Sequence, residues 1–116
     1  MVKRTENPRR DLFPGALEIM ILQTLKRQPL HGYALAQRIK RTSNDVLQIE
    51  EGSLYPALQR LLRAELVKVK WAVSSTNRRI RVYSLTPVGA KHLQTQVSSF
   101  ERMLTGIQSV LALEES

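Results

Sequence analysis

Leu17, Ile19, Met20, Ile21, Leu22 and Leu25 form the densest apolar run in the chain and cover most of the circumference of a helix. That is the pattern of an element packed on several sides. It predicts a central helix from Gly15 to about Gln28, stopped by Pro29. Pro29-Leu30-His31-Gly32 reads as a turn, and Tyr33 to about Arg41 as a short second helix with Leu35 and Ile39 at i, i+4 on one face. Thr42-Ser43-Asn44-Asp45 breaks that helix, and the β-leaning Val46-Leu47-Gln48-Ile49 predicts a brief strand. Gly52-Ser53 opens a third helix that runs to about Ala64, with Ser53 as N-cap and Pro56 close enough to the start to be tolerated. Leu54, Leu58, Leu61 and Leu62 fall on one side of it within an arc of roughly 100°. Tyr55, Pro56, Gln59, Arg60 and Arg63 take the other side.

From Leu66 the period changes to two. Val67, Val69, Trp71 and Val73 alternate with Lys68 and Lys70, which predicts a strand with its valines and Trp71 packed on the core. The polar stretch 74–79 is a loop, and Ile80 to Leu85 is β-rich again, so the two runs make a hairpin with a basic tip. Thr86-Pro87 then reads as N-cap and N1 of a last helix. In that helix Ala90, Leu93, Val97, Phe100, Leu104, Ile107 and Leu111 are spaced alternately by three and four, the a/d alternation of three heptads. Met103 and Val110 widen the stripe. A seam of that length exceeds what the preceding 85 residues can cover, and a second copy of the chain is its natural partner.

The resulting order is helix, helix, short strand, helix, strand, basic loop, strand, helix. It predicts a mainly α protein with a small β-hairpin (α+β), a winged helix-turn-helix followed by a long C-terminal dimerisation helix. Three segments follow: an arm over 1–14, a winged domain over 15–85 and a dimerisation helix over 86–116. The arm reading rests on Pro8 and Pro14 and on charges with no apolar face beside them.

Charge sharpens the division. The net charge of +8 is spread as +9 over residues 1–85 and −1 over residues 86–116, which suggests a polyanion-binding body and a separate associating tail. The apolar run from Ala16 to Leu25 is too short to span a bilayer and no small-residue cleavage site follows it, so a membrane partner is not expected and a cytoplasmic location fits.

Catalysis has little to stand on. There is no cysteine, His31 and His92 are far apart, and Asp11 and Asp45 are the only aspartates. No Gly-rich phosphate loop or recognisable serine nucleophile motif occurs, so no enzyme, metal or cofactor is expected. The third helix, by contrast, has one face to fix it to the body and one free to reach base edges and phosphates of double-stranded DNA.

The stretches Leu30-His31-Gly32-Tyr33, Glu51 to Leu58 around Gly-Ser-Leu-Tyr-Pro, Leu61 to Val67, and Val82 to Gly89 with Leu85-Thr86-x-x-Gly89 resemble the PadR family of bacterial transcriptional regulators. The resemblance runs from about Leu12 to Leu113 and is closest to the compact branch with one helix after the wing. It implies a homodimeric repressor on a roughly palindromic operator. In some relatives aromatic residues at the dimer interface hold flat hydrophobic effectors, which makes Phe100 and Met103 the first positions to look for one. One departure stands out: the family usually has Gly after the recognition helix, and this chain has Ala64-Glu65-Leu66. The helix must therefore end without the residue that most easily adopts φ > 0.

Candidate DNA-binding residues are Ser53, Tyr55, Pro56, Gln59, Arg60 and Arg63 on the third helix and Asn77, Arg78 and Arg79 at the wing tip. His31, Tyr33, Lys40 and Arg41 at the two ends of the second helix join them. Leu93, Val97, Phe100, Met103, Leu104, Ile107 and Leu111 are the candidate dimer interface. Each set has a bland counterpart: Tyr55 as a boundary aromatic, His31 as a turn residue, Gln59, Arg60, Arg78 and Arg79 as a solvated surface, and the seam as intramolecular packing. Two other functions also stay open, a winged-helix protein–protein interaction module and a non-specific nucleic-acid binder.

Overall fold

The apolar run that covers its helix on nearly all sides becomes α1 (Ala16–Arg27), against which α2 (Gly32–Thr42), α3 (Glu51–Arg63), β3 (Arg79–Leu85) and α4 (Pro87–Leu113) all pack. These elements, with β1 (Leu30–His31) and β2 (Val67–Val73), belong to a computed structural model of the chain that describes residues 15–113. The expected arm over 1–14 lies outside the described residues. Ile21, Leu22, Leu35, Leu54 and Leu58 are fully buried and form the centre of the core, closed by Leu25, Ile39, Leu61, Val67, Tyr83 and Leu93.

The sheet has three antiparallel strands in the order β1-β3-β2. Its third strand is not the one expected. Residues 46–49 form no strand; Val46 is exposed, while Leu47 and Ile49 lean on the core from an extended loop. The second edge of β3 is instead taken by Leu30 and His31, which pair with Tyr83 and Val82. The apparent turn after Pro29 is therefore partly a strand. Left-handed conformations at Asn44 and Asp45 turn the chain out of α2, as these two residue types tolerate.

α3 begins two residues before the expected cap. Glu50 is its N-cap, with no side-chain cap bond, and its carbonyl accepts from the N–H groups of Ser53 and Leu54. Ser53 is thus inside the helix, and Glu51 supplies a negative charge to the first turn, favourable at the positive end of the helix dipole. Pro56 becomes an interior residue and removes the donor that would have met the Gly52 carbonyl.

The end of α3 meets the demand made by the missing glycine. Glu65 adopts φ 62°, its N–H donates to the Leu62 carbonyl, and the N–H of Leu66 donates to the Leu61 carbonyl. This is a Schellman motif with Leu61 and Leu66 both in the core. A left-handed glutamate is strained, so Glu65→Gly is expected to stabilise the protein by about 1 kcal/mol, read as a rise in the midpoint of urea unfolding. A lower midpoint would show that Glu65 contributes through its side chain.

Thr86 ties this corner to α4. Its Oγ1 accepts from the N–H of Gly89 at 2.9 Å, the expected N-cap bond, and donates to the Glu65 carbonyl at 2.8 Å. Its own N–H donates to the Leu66 carbonyl at 3.1 Å. Gly89 is what lets α4 cross so close, since a Cβ there would stand 2.0 Å from the Leu66 oxygen.

Three helices closed by a hairpin, with a long helix after it, make the winged helix-turn-helix that the element order predicted.

Candidate nucleic-acid interface

α3 positions the first group of candidates. Leu54, Ala57, Leu58 and Leu61 are buried, which turns Gly52, Pro56, Gln59 and Arg63 outward along the opposite line of the helix, all exposed. Tyr55 and Arg60 stand on its two flanks, and Ser53 is half-buried at its start. The two flanks have different neighbours. Arg60 is held by α1: its Nε and Nη2 donate to Oε2 of Glu18 at 2.8 and 2.7 Å. With the Arg60 side chain 54% exposed, such a pair is worth at most about 1 kcal/mol, so it orients Arg60 without locking it.

Tyr55 leans the other way, onto the start of α2. A Cβ on Gly32 would lie 2.8 Å from its hydroxyl oxygen, so the Gly32 backbone is the floor on which the phenol rests. The His-Gly-Tyr and Gly-Ser-Leu-Tyr-Pro blocks, 20 residues apart in the chain, thus touch each other. Tyr55 remains 41% exposed and Tyr33 65%, and the His31 and Tyr33 rings are stacked with centroids 6.5 Å apart.

The hairpin completes the surface. At its tip Asn77 is left-handed, its N–H donates to the Ser74 carbonyl, and the N–H of Ser74 donates to the Arg78 carbonyl. The Ser74 hydroxyl accepts from the N–H groups of Thr76 and Arg78. This is a three-residue loop with its left-handed position filled by asparagine. It leaves Asn77, Arg78 and Arg79 exposed.

Trp71 was expected in the core and is instead 58% exposed. The register explains this. Val67, Val69, Trp71 and Val73 pair with Leu85, Tyr83, Arg81 and Arg79, so all eight share one face of the hairpin. The inner end of that face, Val67 and Tyr83, is buried; its outer end overhangs the helices. There the Arg79 guanidinium lies 4.4 Å from the Trp71 ring centroid and that of Arg81 5.8 Å from the Tyr83 ring. Burial pushes the Tyr83 hydroxyl above its usual pKa, opposed by the Arg81 charge and reinforced by Tyr55, so it stays neutral at physiological pH.

A cleft of about 280 Å³ runs between the hairpin and the helices and brings His31, Tyr33, Tyr55 and Arg79 together with Trp71 and Arg81. Trp71 and Arg81 were not foreseen as part of a site; the alternation that puts arginines at 79 and 81 on the face of Trp71 was the available signal. Lys40, half-buried, and Arg41, exposed, sit at the far end of α2 from His31, roughly 15 Å along the helix.

The seam of α4 is divided. Leu93 is buried and Val97 packs against the same core, so Leu93 belongs to the chain's own interior and not to a free interface. Phe100, Leu104 and Ile107 are half-buried, and Met103, Val110 and Leu111 are exposed. Beside the seam lies a groove of about 530 Å³ walled by Ile19, Met20, Ile39, Leu47 and Val97. Among the described residues no helix is long and apolar enough to cross a membrane, and no group of three or more His, Asp or Glu is placed to hold a metal ion.

A winged helix-turn-helix with a long helix after the wing defines the class of protein. Residues 21–95 match the family model described as the transcriptional regulator PadR-like family, and the chain belongs to that family of regulators, which are not enzymes. It is similar to a transcriptional regulator from Clostridium thermocellum, at 25% identity and TM-score 0.77 over 85% of this chain and 96% of that one. A PadR-like transcriptional regulator from Bacillus cereus matches at 26% identity and TM-score 0.71 over 84% of this chain and 93% of that one. Among curated proteins, an uncharacterized protein X of Lysinibacillus sphaericus is 28% identical over 79% of this chain and 84% of its own length.

Proposed function

We propose that the chain is a sequence-specific DNA-binding repressor that acts in the cytoplasm as a homodimer on a palindromic operator. The observation that carries this reading is the face of α3 opposite the core, where Gln59 and Arg63 stand exposed with Tyr55 and Arg60 on the flanks. Glutamine pairs bidentately with adenine and arginine with guanine in the major groove. Two copies joined through α4 set two such helices about one DNA turn, roughly 34 Å, apart. The wing tips grip the backbone with Asn77, Arg78 and Arg79, and Lys40 and Arg41 clamp phosphates at the end of α2. Occupying promoter DNA blocks polymerase.

Dimerisation is supported by the exposed apolar positions of α4 and by the apolar groove beside them. Release by a small hydrophobic effector near Phe100 and Met103, through a change in the angle between the winged domains, has the support of resemblance alone.

The test begins by selecting bound fragments from genomic DNA, including the region upstream of the protein's own coding sequence. Gln59→Ala is expected to relax preference at one position of each half-site by about tenfold. Arg78→Ala with Arg79→Ala is expected to weaken all duplexes about equally. Operator binding left intact by both would place the interface on another surface.

A further inference from the structure

We propose that the outer end of the helix-facing side of the wing, Trp71 with Arg79 and Arg81, is a seat for the sugar-phosphate backbone of duplex DNA; this rests on the DNA-binding reading above. The indole takes a deoxyribose and the guanidiniums take a phosphate.

An exposed tryptophan leaves a large apolar area in water. At 58% exposure Trp71 forgoes much of the roughly 2 kcal/mol or more that burying a large apolar side chain provides. Arg79 lies over the indole at 4.4 Å from its centroid, a contact that orients both side chains without locking them. Arg81, the direct cross-strand partner of Trp71, lies in turn over Tyr83. Tryptophan and arginine are the residue types enriched among those that carry binding energy at interfaces.

The surroundings choose the partner. The cleft beneath this face is lined on its far side by His31, Tyr33 and Tyr55, and among the described residues no carboxylate lines it. Two permanent cations, an apolar ring and hydrogen-bonding side chains lining one cleft match a phosphate flanked by a sugar. The cleft also lies between α3 and the wing, the two elements assigned to DNA above, so a duplex touching both passes over it. Contacts of this kind hold the protein on DNA without reading sequence.

Trp71 is the chain's single tryptophan, so indole emission of the full-length protein, excited beyond the tyrosine band, reports this position alone. The probe is a duplex of random sequence, about 30 base pairs long, end-labelled outside the tryptophan band, at about 50 mM salt. Trp71 emission is expected to change in step with the anisotropy of the label and to saturate at the same concentration. Trp71→Ala is expected to weaken random and selected duplexes alike by about tenfold, and Trp71→Phe to restore most of the loss. Arg81→Ala is expected to reduce the salt slope by about one. Circular dichroism checks the fold of each variant.

Rising anisotropy with unchanged emission, or wild-type affinity in Trp71→Ala, would overturn the seat and leave DNA binding standing. Tighter binding of a single strand than of the duplex, reported by the same emission, would also overturn it, in favour of base stacking on the indole. No rise in anisotropy at low salt would remove the DNA reading and this seat with it.

Discussion

Gly89→Ala is expected to lower the thermal unfolding midpoint by more than about 10 °C, corresponding to at least about 3 kcal/mol. The cause is a backbone obstacle. The new Cβ would stand 2.0 Å from the carbonyl oxygen of Leu66 and 2.9 Å from its carbon, and neither is the far end of a side chain that can swing away. Relief requires α4 to move off the α3–β2 corner. That movement breaks the bonds of Thr86 to the Leu66 and Glu65 carbonyls and lifts Leu93 out of a site where it is 2% exposed. Gly106→Ala in the same helix is the control. Among the described residues nothing lies within 4 Å of that Cβ, and alanine improves helix propensity there by up to about 1 kcal/mol. Circular dichroism melts of both variants at one protein concentration make the comparison; equal midpoints would mean that α4 does not cross at Gly89 in solution.

The second large effect concerns assembly. Leu104→Glu is expected to convert a dimer to monomers in sedimentation velocity and to weaken operator binding by roughly a hundredfold or more, because the second half-site is then bound without tethering. α4 has 27 residues, a length of roughly 40 Å, and its first turns are committed to α1 through Leu93 and Val97. Beyond them the stripe holds Met103 at 41%, Val110 at 68% and Leu111 at 66% exposure. Leu104 lies in the middle of that stretch, where a glutamate would carry a charge into an apolar contact at a cost of several kcal/mol. An unchanged dimer would place the interface on another surface, the groove between α1 and α2 being the next candidate.

Much of the fold was legible because its elements carry strong periods. α1 is apolar on nearly all sides and lies at the centre, and α4 begins where Thr86-Pro87 said it would, with the cap bond to Gly89 in place. The missing glycine after α3 announced a strained helix end, and Glu65 bears it at φ 62°. What was not legible depended on partners far away in the chain. Val46 to Ile49 has strand-forming residues, yet the strand added to the hairpin at the second edge of β3 is Leu30 and His31. Trp71 alternates correctly with Lys68 and Lys70, yet alternation does not say how far along a strand the core extends.

The candidate site shows the same division. Which residues of α3 face outward follows from a 100° turn per residue, so Gln59 and Arg63 could be named in advance. Glu18 lies 42 residues from Arg60, and nothing local to either announces their pairing. The contact of Tyr55 with Gly32 likewise emerges only once α2 and α3 are packed. Leu93 occupies a seam position by spacing and a core position in space, because a heptad count does not distinguish an intramolecular neighbour from a second copy.

Sequence-specific recognition of DNA by a dimer is tested most directly by titrating the full-length protein against a selected operator and a random duplex over a series of salt concentrations. The expected result is a log–log salt dependence for both, falling by about 0.9 per phosphate contacted, with the operator bound at least about a thousandfold more tightly near physiological salt and two chains per site. Equal affinities at every salt concentration would contradict sequence-specific recognition and leave a generic nucleic-acid binder, and no binding to either duplex at low salt would leave a protein interaction module.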